Sequence, residues 1–498
     1  MNRATPLACL LAALALTAAC GSKVPENQSL ATTELGPASS GGVAAATTGT
    51  AGALAGGTTG VPGSSAGGGG TGGVAGVGTT GGAAGTTAGG GTTGATGAVA
   101  GPVDKTPIKI GAFYLNGGNA TLGSGFASTP ANFGDGQKEA KAVVADINAH
   151  GGVGGRKIEL YLQKVEASDA SKPAAFDAAC RGLTEDHHVL AILSIFNLRT
   201  PLAACAAKHK TLLLTQALGA GDEVVYRQFR DWAFTPSMMS LDTEQKLVIS
   251  NALATGVISK KTRVGVLVQN DDDIYPRVLK NTIEPALKAA GVPYESVVIS
   301  NATDSTGISN AILKFQQDGV SVVQFSAGNG GIPEVLFMQA ADQQQYRPRY
   351  IMGDSTDTWF VSESAPRTQA QNITGVGGMP IANVNVSQYP TTAREKHCLD
   401  AITAGGERVT DRHSSITATA YCEMFYGFAA AGALVQGPLT ADSWRSAYTS
   451  MGTTYPAMAG FNVDVSTNPN AGTRGYRTLA WSNACTCVTY TSPIKRLT

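Results

Sequence analysis

Gly353, Asp354 and Ser355 form a block that is typical of a hydrolytic nucleophile. GDS-type esterases carry such a block after their first strand and pair it with a C-terminal Asp-x-x-His. Here the block lies in the middle of the chain, and Asp411 and His413 have a different spacing. Beyond the Gly-rich N-terminal region there is no Gly-x-Ser-x-Gly elbow, phosphate-binding Gly-Lys-Ser/Thr or His-Glu-x-x-His motif. The motifs therefore argue against an enzyme.

Histidines and cysteines are too scattered to predict a metal site. His187 and His188 are adjacent, and adjacent residues on a strand face opposite sides of the sheet. Cys485 and Cys487 lie close together, but no second cysteine pair or cluster of histidines accompanies them, as a zinc site requires. We therefore expect no metal ion and no cofactor.

Cys20 ends a short apolar stretch that is organised like a lipoprotein signal peptide. Arg3 supplies the positive start, Leu7 to Ala15 the apolar region, and Ala18-Ala19 the small residues that a signal peptidase requires. The stretch is shorter than the roughly 18 apolar residues of a membrane-spanning helix. An ordinary secretory signal is the alternative. We expect a lipoprotein signal peptide over residues 1–20, with Cys20 lipidated and the protein anchored on the outer face of the cell membrane.

The remaining cysteines predict disulfide bonds. Of eight cysteines, six lie beyond residue 20, an even number in a chain marked for export. Sequence order favours two local pairs, each of which closes a loop of about 25 residues. For the last pair a mutual bridge is expected, although each cysteine could reach another partner. The expected pairs are Cys180 with Cys205, Cys398 with Cys422, and Cys485 with Cys487.

Composition divides the chain into a tether and a folded part. Residues 41–100 contain no charged and no aromatic residue and cycle through Gly, Thr, Ala and Val, so they cannot bury enough apolar surface to fold. We expect a disordered tether over residues 21–103. Residues 104–498 are too many for one hydrophobic core, which predicts two lobes. Lys+Arg and Asp+Glu balance at 36 each, so no excess charge indicates nucleic acid as a partner.

Beyond the tether, strand-like and helix-like segments alternate at the spacing of a parallel α/β fold. The helix predicted over Gly136 to His150 carries Val143 and Ile147 on one face and ends at a glycine-rich turn. The predicted strands are 105–114, 156–164, 189–195, 212–215, 264–268, 297–299, 320–325 and 350–352, and the other predicted helices are 308–317, 333–343, 391–404 and 416–436.

Three blocks of the sequence resemble a known family. Residues 142–158 read AVVADINAHGGVGGRKI, residues 264–275 read VGVLVQNDDDIY, and residues 350–355 read YIMGDS. In combination they resemble the type I periplasmic-binding fold, specifically the leucine/isoleucine/valine-binding proteins of branched-chain amino acid ABC transporters. The resemblance extends from Ile108 to about Leu434.

The resemblance implies an architecture. It is an α/β fold of two lobes, each a parallel sheet flanked by helices, joined by a multi-strand hinge. Lobe one would comprise residues 104–236 and return over residues 377–455. Lobe two would comprise residues 237–376, with the C-terminal segment 456–498 added to it.

The ends of the predicted strands supply the candidate ligand site. In open parallel sheets, ligands bind beyond the carboxyl ends of the strands. The resemblance implies that loops after the third and fourth strands hold the ligand, while an aromatic residue after Asp273 and an acid after Gly353 close over it. The candidate residues are Phe196, Asn197, Gln216 and Ala217 on lobe one and Tyr275, Asn329, Asp354 and Ser355 on lobe two.

The function implied by the resemblance is that of an extracytoplasmic solute-binding protein of an ABC importer. It would bind a small polar ligand, an amino acid or a related compound, and deliver it to a membrane permease. Amino-acid binders of the family present Ser and Thr hydroxyls in lobe one, whereas this chain has the amides of Asn197 and Gln216, and Gly219 where a Thr is expected. The alternative is a sensory or scaffold protein of the same fold that signals to a partner.

Overall fold

The computed structural model describes residues 105–116, 133–166, 169, 172–216, 219–328, 330–379, 392–409 and 412–497. All of these residues belong to one compact unit, Ala95–Thr498. The predicted signal peptide with Cys20 and the whole predicted tether lie outside the described residues. Two candidate site residues, Ala217 and Asn329, lie outside them as well.

The first sheet is parallel throughout the part of the chain that the structure describes. Its strands lie in the order β2-β1-β3-β4-β5. Every residue of β3 and β4 is buried, as expected for strands that helices cover on both faces. The strands are β1 (Ile108–Asn116), β2 (Ile158–Glu166), β3 (Ala191–Ser194), β4 (Leu212–Thr215) and β5 (Ala233–Phe234), and the helices between them are α1 (Gly136–Ala149), α2 (Pro173–Arg181), α3 (Thr200–Lys208) and α4 (Glu223–Gln228).

The second sheet has a parallel centre and an antiparallel edge. Its strands lie in the order β12-β11-β10-β9-β8-β6-β7, with β13 paired to β11. The strands β6 to β10 run parallel, whereas β11 and β12 are antiparallel to their neighbours. The strands are β6 (Val264–Gln269), β7 (Tyr294–Ile299), β8 (Val322–Ser326), β9 (Arg349–Met352), β10 (Ile373–Gly377), β11 (Gly475–Ser482), β12 (Cys487–Tyr490) and β13 (Lys495–Arg496).

Helices flank both sheets. The helices that follow β5 in the described part of the chain are α5 (Leu241–Ala254), α6 (Ile274–Val278), α7 (Glu284–Ala289), α8 (Ser305–Gln317), α9 (Ile332–Gln343), α10 (Thr358–Ser364), α11 (Arg367–Ala370), α12 (Ala393–Ala404), α13 (Arg412–Ala433) and α14 (Ala441–Met451). Helices α12 and α13 pack against α1 of the first lobe, although the chain reaches them only after it has passed through strands β6 to β10 of the second sheet. The first lobe is therefore built from two separate stretches of sequence.

Helix α1 illustrates how the local sequence sets these elements. Asp135 precedes it, and its carboxylate accepts hydrogen bonds from the backbone N–H groups of Gln137 and Lys138 at 3.1 and 3.2 Å. The helix ends before Gly151 and Gly152, which have positive φ angles of 99° and 72°. A side chain at residue 152 would begin 2.0 Å from a backbone oxygen of the following turn, so glycine is required there.

Neighbouring stretches of chain pass between the lobes and form the hinge. The backbone N–H of Thr235, after β5, donates to the carbonyl of Asn470 at 2.9 Å. The N–H of Phe461 donates to the carbonyl of Gly378, after β10, at 2.8 Å. Glu423 of α13 stabilises the same region, since its buried carboxylate accepts from the Ser237 hydroxyl at 2.6 Å. The fold is thus the two-lobed α/β architecture with a multi-strand hinge that the sequence predicts.

Disulfide bonds join neighbouring helices. Cys180 of α2 bonds to Cys205 of α3, and Cys398 of α12 bonds to Cys422 of α13. Both pairs lie in the core. The third bond joins Cys485 to Cys487 at the turn between β11 and β12. These are the pairs that sequence order favours.

Two further features concern the described residues alone. None of their helices combines the length and the apolar character needed to cross a membrane. Nor do their His, Cys, Asp and Glu side chains include a group of three or more placed to hold a metal ion.

Candidate functional site

The loops at the carboxyl ends of the two sheets meet at Asn197 and Tyr275. Asn197 follows β3, and Tyr275 lies in the first turn of α6, after β6. Each is 5% exposed, and the Asn197 amide Nδ2 donates to the Tyr275 hydroxyl at 3.2 Å. The strand-end rule predicts both residues at the ligand site, and the structure places them in direct contact across the lobes. The region where these loops face each other is the cleft.

Glycines permit this close approach. A Cβ atom at Gly328, two residues after β8, would lie 2.1 Å from the Tyr275 hydroxyl and 2.6 Å from Asn197 Nδ2. Gly219 has a φ angle of +139°, and a Cβ there would lie 3.0 Å from the same amide. A side chain at either position would separate Asn197 from Tyr275. The residue that replaces the expected Thr at position 219 therefore makes room for the Asn197 side chain.

Two ion pairs also cross the cleft, one of them buried and the other partly exposed at its arginine. Arg277 Nε on α6 lies 2.7 Å from a carboxylate oxygen of Asp222, which is 1% exposed. Arg199, which precedes α3 and is 1% exposed, lies 3.5 Å from Asp271 after β6. Both arginines are therefore neutralised by an aspartate of the other lobe. None of these four residues was among the predicted site residues, although the sequence shows an acidic run after β6.

A hydrogen-bonded contact reinforces the ion pairs. Both the backbone N–H and the hydroxyl of Thr200 donate to the carboxylate of Asp272, at 3.2 and 3.1 Å. Thr200 is the first residue of α3, so the carboxylate of the second lobe caps a helix N-terminus of the first. The lobes are closed against each other in this structure.

Phe196 and Gln216, the other described candidates on lobe one, differ in their surroundings. Phe196 packs edge-to-face on Phe176 with ring centroids 5.2 Å apart, so its ring belongs to the core of lobe one. Gln216, directly after β4, is 1% exposed. Its Nε2 lies 3.9 Å from the sulfur of Met379, and its Oε1 has no hydrogen-bond partner. Ala217, the fourth candidate on lobe one, lies outside the described residues.

Asp354 and Ser355, the candidates after β9, are held by internal partners. The Ser355 hydroxyl and backbone N–H both donate to the carboxylate of Glu244 on α5. The Asp354 carboxylate accepts from the backbone N–H groups of Gly378 and Met379. The two side chains thus position the loop after β9 and the start of the hinge. Asn329 lies outside the described residues.

Burial changes the protonation chemistry of this acidic region. Loss of solvation raises the pKa of Glu244 to about 7, against the opposing effect of its hydrogen bonds from Ser355. Burial also raises the pKa values of Asp354 and Asp357 well above their usual range, and neighbouring carboxylates add to the effect. These buried acids of lobe two thus favour their protonated forms.

Glu334 is a further buried acid that was not among the predicted site residues. It lies in the first turn of α9, after β8, and is fully buried. Burial raises the pKa of its carboxyl well above the usual range, and Asp357 contributes in the same direction. The sequence does mark this position, because Pro333 and Glu334 begin a predicted helix that follows a predicted strand.

Comparison with known proteins identifies the family. The sequence pattern of a family described as periplasmic binding proteins matches residues 107–485, more than three quarters of the chain. The chain belongs to this periplasmic binding protein family. The resemblance to branched-chain amino acid binding proteins and the type I fold predicted from it are confirmed. Because the family consists of binding proteins, the expectation that the protein is not an enzyme is confirmed too.

Solved structures of low sequence identity share the fold of this periplasmic binding protein. The branched-chain amino acid transporter substrate-binding protein LivJ from Streptococcus pneumoniae, in complex with isoleucine, is 17% identical, with a TM-score of 0.54 over 78% of this chain and 100% of that one. A substrate-binding periplasmic protein from Ralstonia solanacearum is 17% identical, with a TM-score of 0.58 over 77% and 100%. A fatty acid ABC transporter substrate-binding protein from Thermomonospora curvata is 14% identical, with a TM-score of 0.56 over 79% and 93%. The comparison with curated proteins finds no relative of significant similarity.

Proposed function

We propose that the protein is an extracytoplasmic solute-binding lipoprotein of an ABC importer. It binds a small polar ligand between its lobes and delivers it to a membrane permease. The observation that carries the proposal is the contact of Asn197 with Tyr275, which brings the strand ends of both sheets together in a buried cleft. A ligand that bridges the lobes would shift an open–closed equilibrium by its differential affinity for the two states.

The ligand site of this proposal consists of the residues that follow the strands of both sheets. Tyr275 and Asn197 would contact the ligand when the lobes close, and the amide of Gln216 offers an acceptor from lobe one. Asp354 and Ser355 would form the wall of lobe two. Ala217, Asn329 and Phe196 complete the proposed set.

Anchoring on the outer face of the membrane is part of the proposal. Cys20 follows two small residues and would carry the lipid after signal-peptide cleavage. The Gly-rich segment that follows would then tether the binding lobes to the membrane, with a reach of about 50 Å.

A ligand panel tests the proposal. A ligand that binds only the folded protein stabilises it by about 2.7 kcal/mol at a hundredfold excess over Kd. We expect at least one compound among amino acids, amides, urea-like compounds, short organic acids, amines and fatty acids to raise the unfolding temperature. The solved relatives bind isoleucine and, by name, a fatty acid, so both classes belong in the panel. If no compound stabilises the protein, the proposed function is wrong.

The alternative is a sensory or scaffold protein that keeps the fold and signals to a partner. The observation that favours it is the lack of Ser and Thr hydroxyls on lobe one, where this chain has the amides of Asn197 and Gln216 and a glycine at position 219. Genes for permease and ATPase subunits beside this one would support import. A partner that binds the closed lobes without any ligand would support the alternative.

A further inference from the structure

The bond between Cys485 and Cys487, the turn disulfide, differs from the two helix disulfides in its exposure. All four cysteines of the helix disulfides are 4% exposed or less, so a thiol in solution does not reach their sulfur atoms while the protein is folded. Cys485, in contrast, is exposed, and Cys487 is 8% exposed. An exposed disulfide is open to attack by a thiolate, which is the first step of disulfide exchange. The helix disulfides are Cys180–Cys205 and Cys398–Cys422.

The hairpin that carries the turn disulfide is also held together by its backbone. Strand β11 pairs with β12 over four residue pairs, and the pair nearest the turn is Ser482 with Cys487. The far end of β12 is fixed as well, since the Tyr490 hydroxyl donates to the carbonyl of Met379 at 2.6 Å. Loss of the sulfur bond would therefore leave the two strands paired. The folded hairpin does not depend on the turn disulfide.

The residue between the two cysteines has an unfavourable backbone conformation. On an extended strand, Cα atoms two residues apart are separated by about 6.6 Å. Those of Cys485 and Cys487 are 5.2 Å apart. Thr486 between them has a φ angle of +54°, in the left-handed region that glycine adopts readily and a β-branched residue seldom does. Reduction frees the cysteines to move apart and Thr486 to become extended, so the release of this strain favours the reduced form.

The reduced form also has hydrogen-bond acceptors in place. The carbonyl oxygens of Ser482 and Cys487 lie 3.8 and 3.6 Å from Cys485 Sγ. A thiol carries a proton that it can donate to such an oxygen, whereas a disulfide sulfur has none. The dithiol therefore gains a contact that the disulfide lacks.

The turn disulfide lies at the edge of the second sheet opposite the cleft. Strand β11 is antiparallel to β10, and their last pair towards the turn joins Ala480 to Thr374, near the start of β10. The turn therefore lies at the amino ends of the parallel strands, whereas the cleft lies at their carboxyl ends. Chemistry at this turn is separate from the proposed ligand site and does not rest on the proposed function.

We infer that the turn disulfide is a thiol–disulfide exchange site that accepts two electrons from a dithiol, and that the conformation of Thr486 favours its reduction. One thiolate of the dithiol attacks Cys485 Sγ and forms a mixed disulfide, while the electron pair of the broken bond goes to Cys487 Sγ, which takes up a proton. The second thiolate of the dithiol then attacks the first sulfur of the dithiol, and Cys485 leaves and is protonated. The dithiol ends as a disulfide, and the protein has gained two electrons and two protons.

Equilibration of the oxidised full-length protein with dithiothreitol tests the inference. The ratio of reduced to oxidised dithiothreitol is raised in steps, free thiols are alkylated, and peptide mass spectrometry gives the state of each cysteine. We expect the turn disulfide to be reduced at a ratio at least about a hundredfold lower than either helix disulfide, with one dithiothreitol oxidised per protein. Equal resistance of all three bonds, or earlier reduction of a helix disulfide, would overturn the inference.

Single serine variants identify the sulfur that is attacked. Cys487→Ser leaves the exposed Cys485 as a thiol, and Cys485→Ser leaves Cys487, which is 8% exposed. With dithionitrobenzoate as the probe, we expect the thiol in Cys487→Ser to react at least about tenfold faster than the thiol in Cys485→Ser. Similar rates, or the reverse order, would contradict attack at Cys485.

Thr486→Gly tests the contribution of the backbone. Glycine adopts the left-handed conformation without strain, so reduction of the turn disulfide should require a ratio of reduced to oxidised dithiothreitol about tenfold higher than in the wild type. Gln345→Gly is the matched control, because Gln345 is exposed and has a φ angle of +56° in the turn after α9, and it should leave the ratio unchanged. A wild-type ratio in Thr486→Gly would overturn the role of Thr486.

Discussion

Tyr275 makes hydrogen bonds with residues of both lobes. Its hydroxyl accepts from Asn197 of lobe one, and its backbone carbonyl accepts from the Ser326 hydroxyl at the end of β8, at 2.9 Å. The backbone of Tyr275 is therefore held by lobe two, and its hydroxyl bonds to lobe one. Burial raises the pKa of Tyr275 well above its ordinary value, so the hydroxyl stays neutral.

Substitution of Tyr275 should weaken ligand binding. Tyr275→Ala removes both the ring contact and the hydroxyl, and we expect an affinity loss of about 1–3 kcal/mol, measured by calorimetry with a compound from the panel. Tyr275→Phe keeps the ring, so it should lose only about 1 kcal/mol. Tyr294→Phe, on the edge strand β7, is the control and should bind as the wild type does. Unchanged affinity in Tyr275→Ala would show that the ligand lies elsewhere.

Glu244 should make the folded protein less stable as the pH rises. Its pKa is about 7 in the folded state and 4.5 when unperturbed, so the folded state holds a proton that the unfolded chain has released. The contribution of this group to stability is complete below about pH 4.5 and is lost as the pH rises to 7. The loss is on the order of 3 kcal/mol.

Denaturant unfolding at pH 5 and pH 8 measures this effect. We expect the wild type to be more stable at pH 5, and we expect the difference to be smaller in Glu244→Gln. The other buried acids of lobe two contribute in the same direction, so the difference should not vanish. A variant with the same pH dependence as the wild type would contradict the assignment to Glu244.

At the scale of single residues, the sequence predicts which residues lie at the site better than it predicts which residues they bond to. The strand-end rule selects Asn197 and Tyr275 because it needs only the end of a strand. That they bond to each other depends on the arrangement of two lobes, which no local pattern contains. The same limit applies to Glu244, which is 111 residues away from Ser355 in the chain.

At the scale of elements, the alternation of strands and helices is read well from the sequence. The strand predicted over 212–215 has those bounds in the structure, and the helix predicted over 136–150 spans Gly136–Ala149. Helix α5 was not predicted, because its buried face carries Asp242, Glu244 and Gln245 among the apolar residues. Strand β10 was not predicted either, since two of its five residues are glycine.

The disulfides should differ in what they contribute to these elements. Cys180–Cys205 and Cys398–Cys422 are separated by 25 and 24 residues, and the chain-entropy model values loops of this length at roughly 3 kcal/mol. Cys485–Cys487 closes a far shorter loop, with a separation of 2. Replacing Cys180 and Cys205 by alanine should therefore lower the free energy of unfolding by about 3 kcal/mol, whereas the paired serine variant of Cys485 and Cys487 should change it little.

Denaturant unfolding of the oxidised protein measures both variants, and non-reducing peptide mapping establishes the pairs beforehand. The map should show each of the three local bonds. Free thiols at Cys180 or Cys398, or equal losses in the two variants, would contradict this account of the helices.

At the scale of the whole molecule, the N-terminal segment should act only as an anchor. We expect Cys20→Ala to move the protein from the membrane to the soluble fraction, because the acceptor of the lipid is gone. The unfolding temperature and ligand affinity should match those of the wild type, since Cys20 lies outside the compact unit Ala95–Thr498. Fractionation of cells that express both forms provides the measurement. A variant that stays in the membrane would rule out lipidation at this residue.

The closed arrangement of the lobes explains why Asp222 is buried although it is charged. Arg277 and Asp222 come from different lobes, and their pairing exists only when the lobes meet. In the proposed function, a bound ligand would add its own interactions with both lobes to this contact. Ligand binding should therefore order loops on the two lobes together.

Hydrogen exchange with and without ligand tests this central claim most directly. With a compound from the panel bound to the full-length protein, we predict slower amide exchange in residues 196–200 of lobe one and in residues 271–277 of lobe two. Helix α14, which lies outside the cleft, should exchange at the same rate in both samples and serves as the internal control. Protection of only one of the two loops, or of neither, would contradict a ligand held between the lobes.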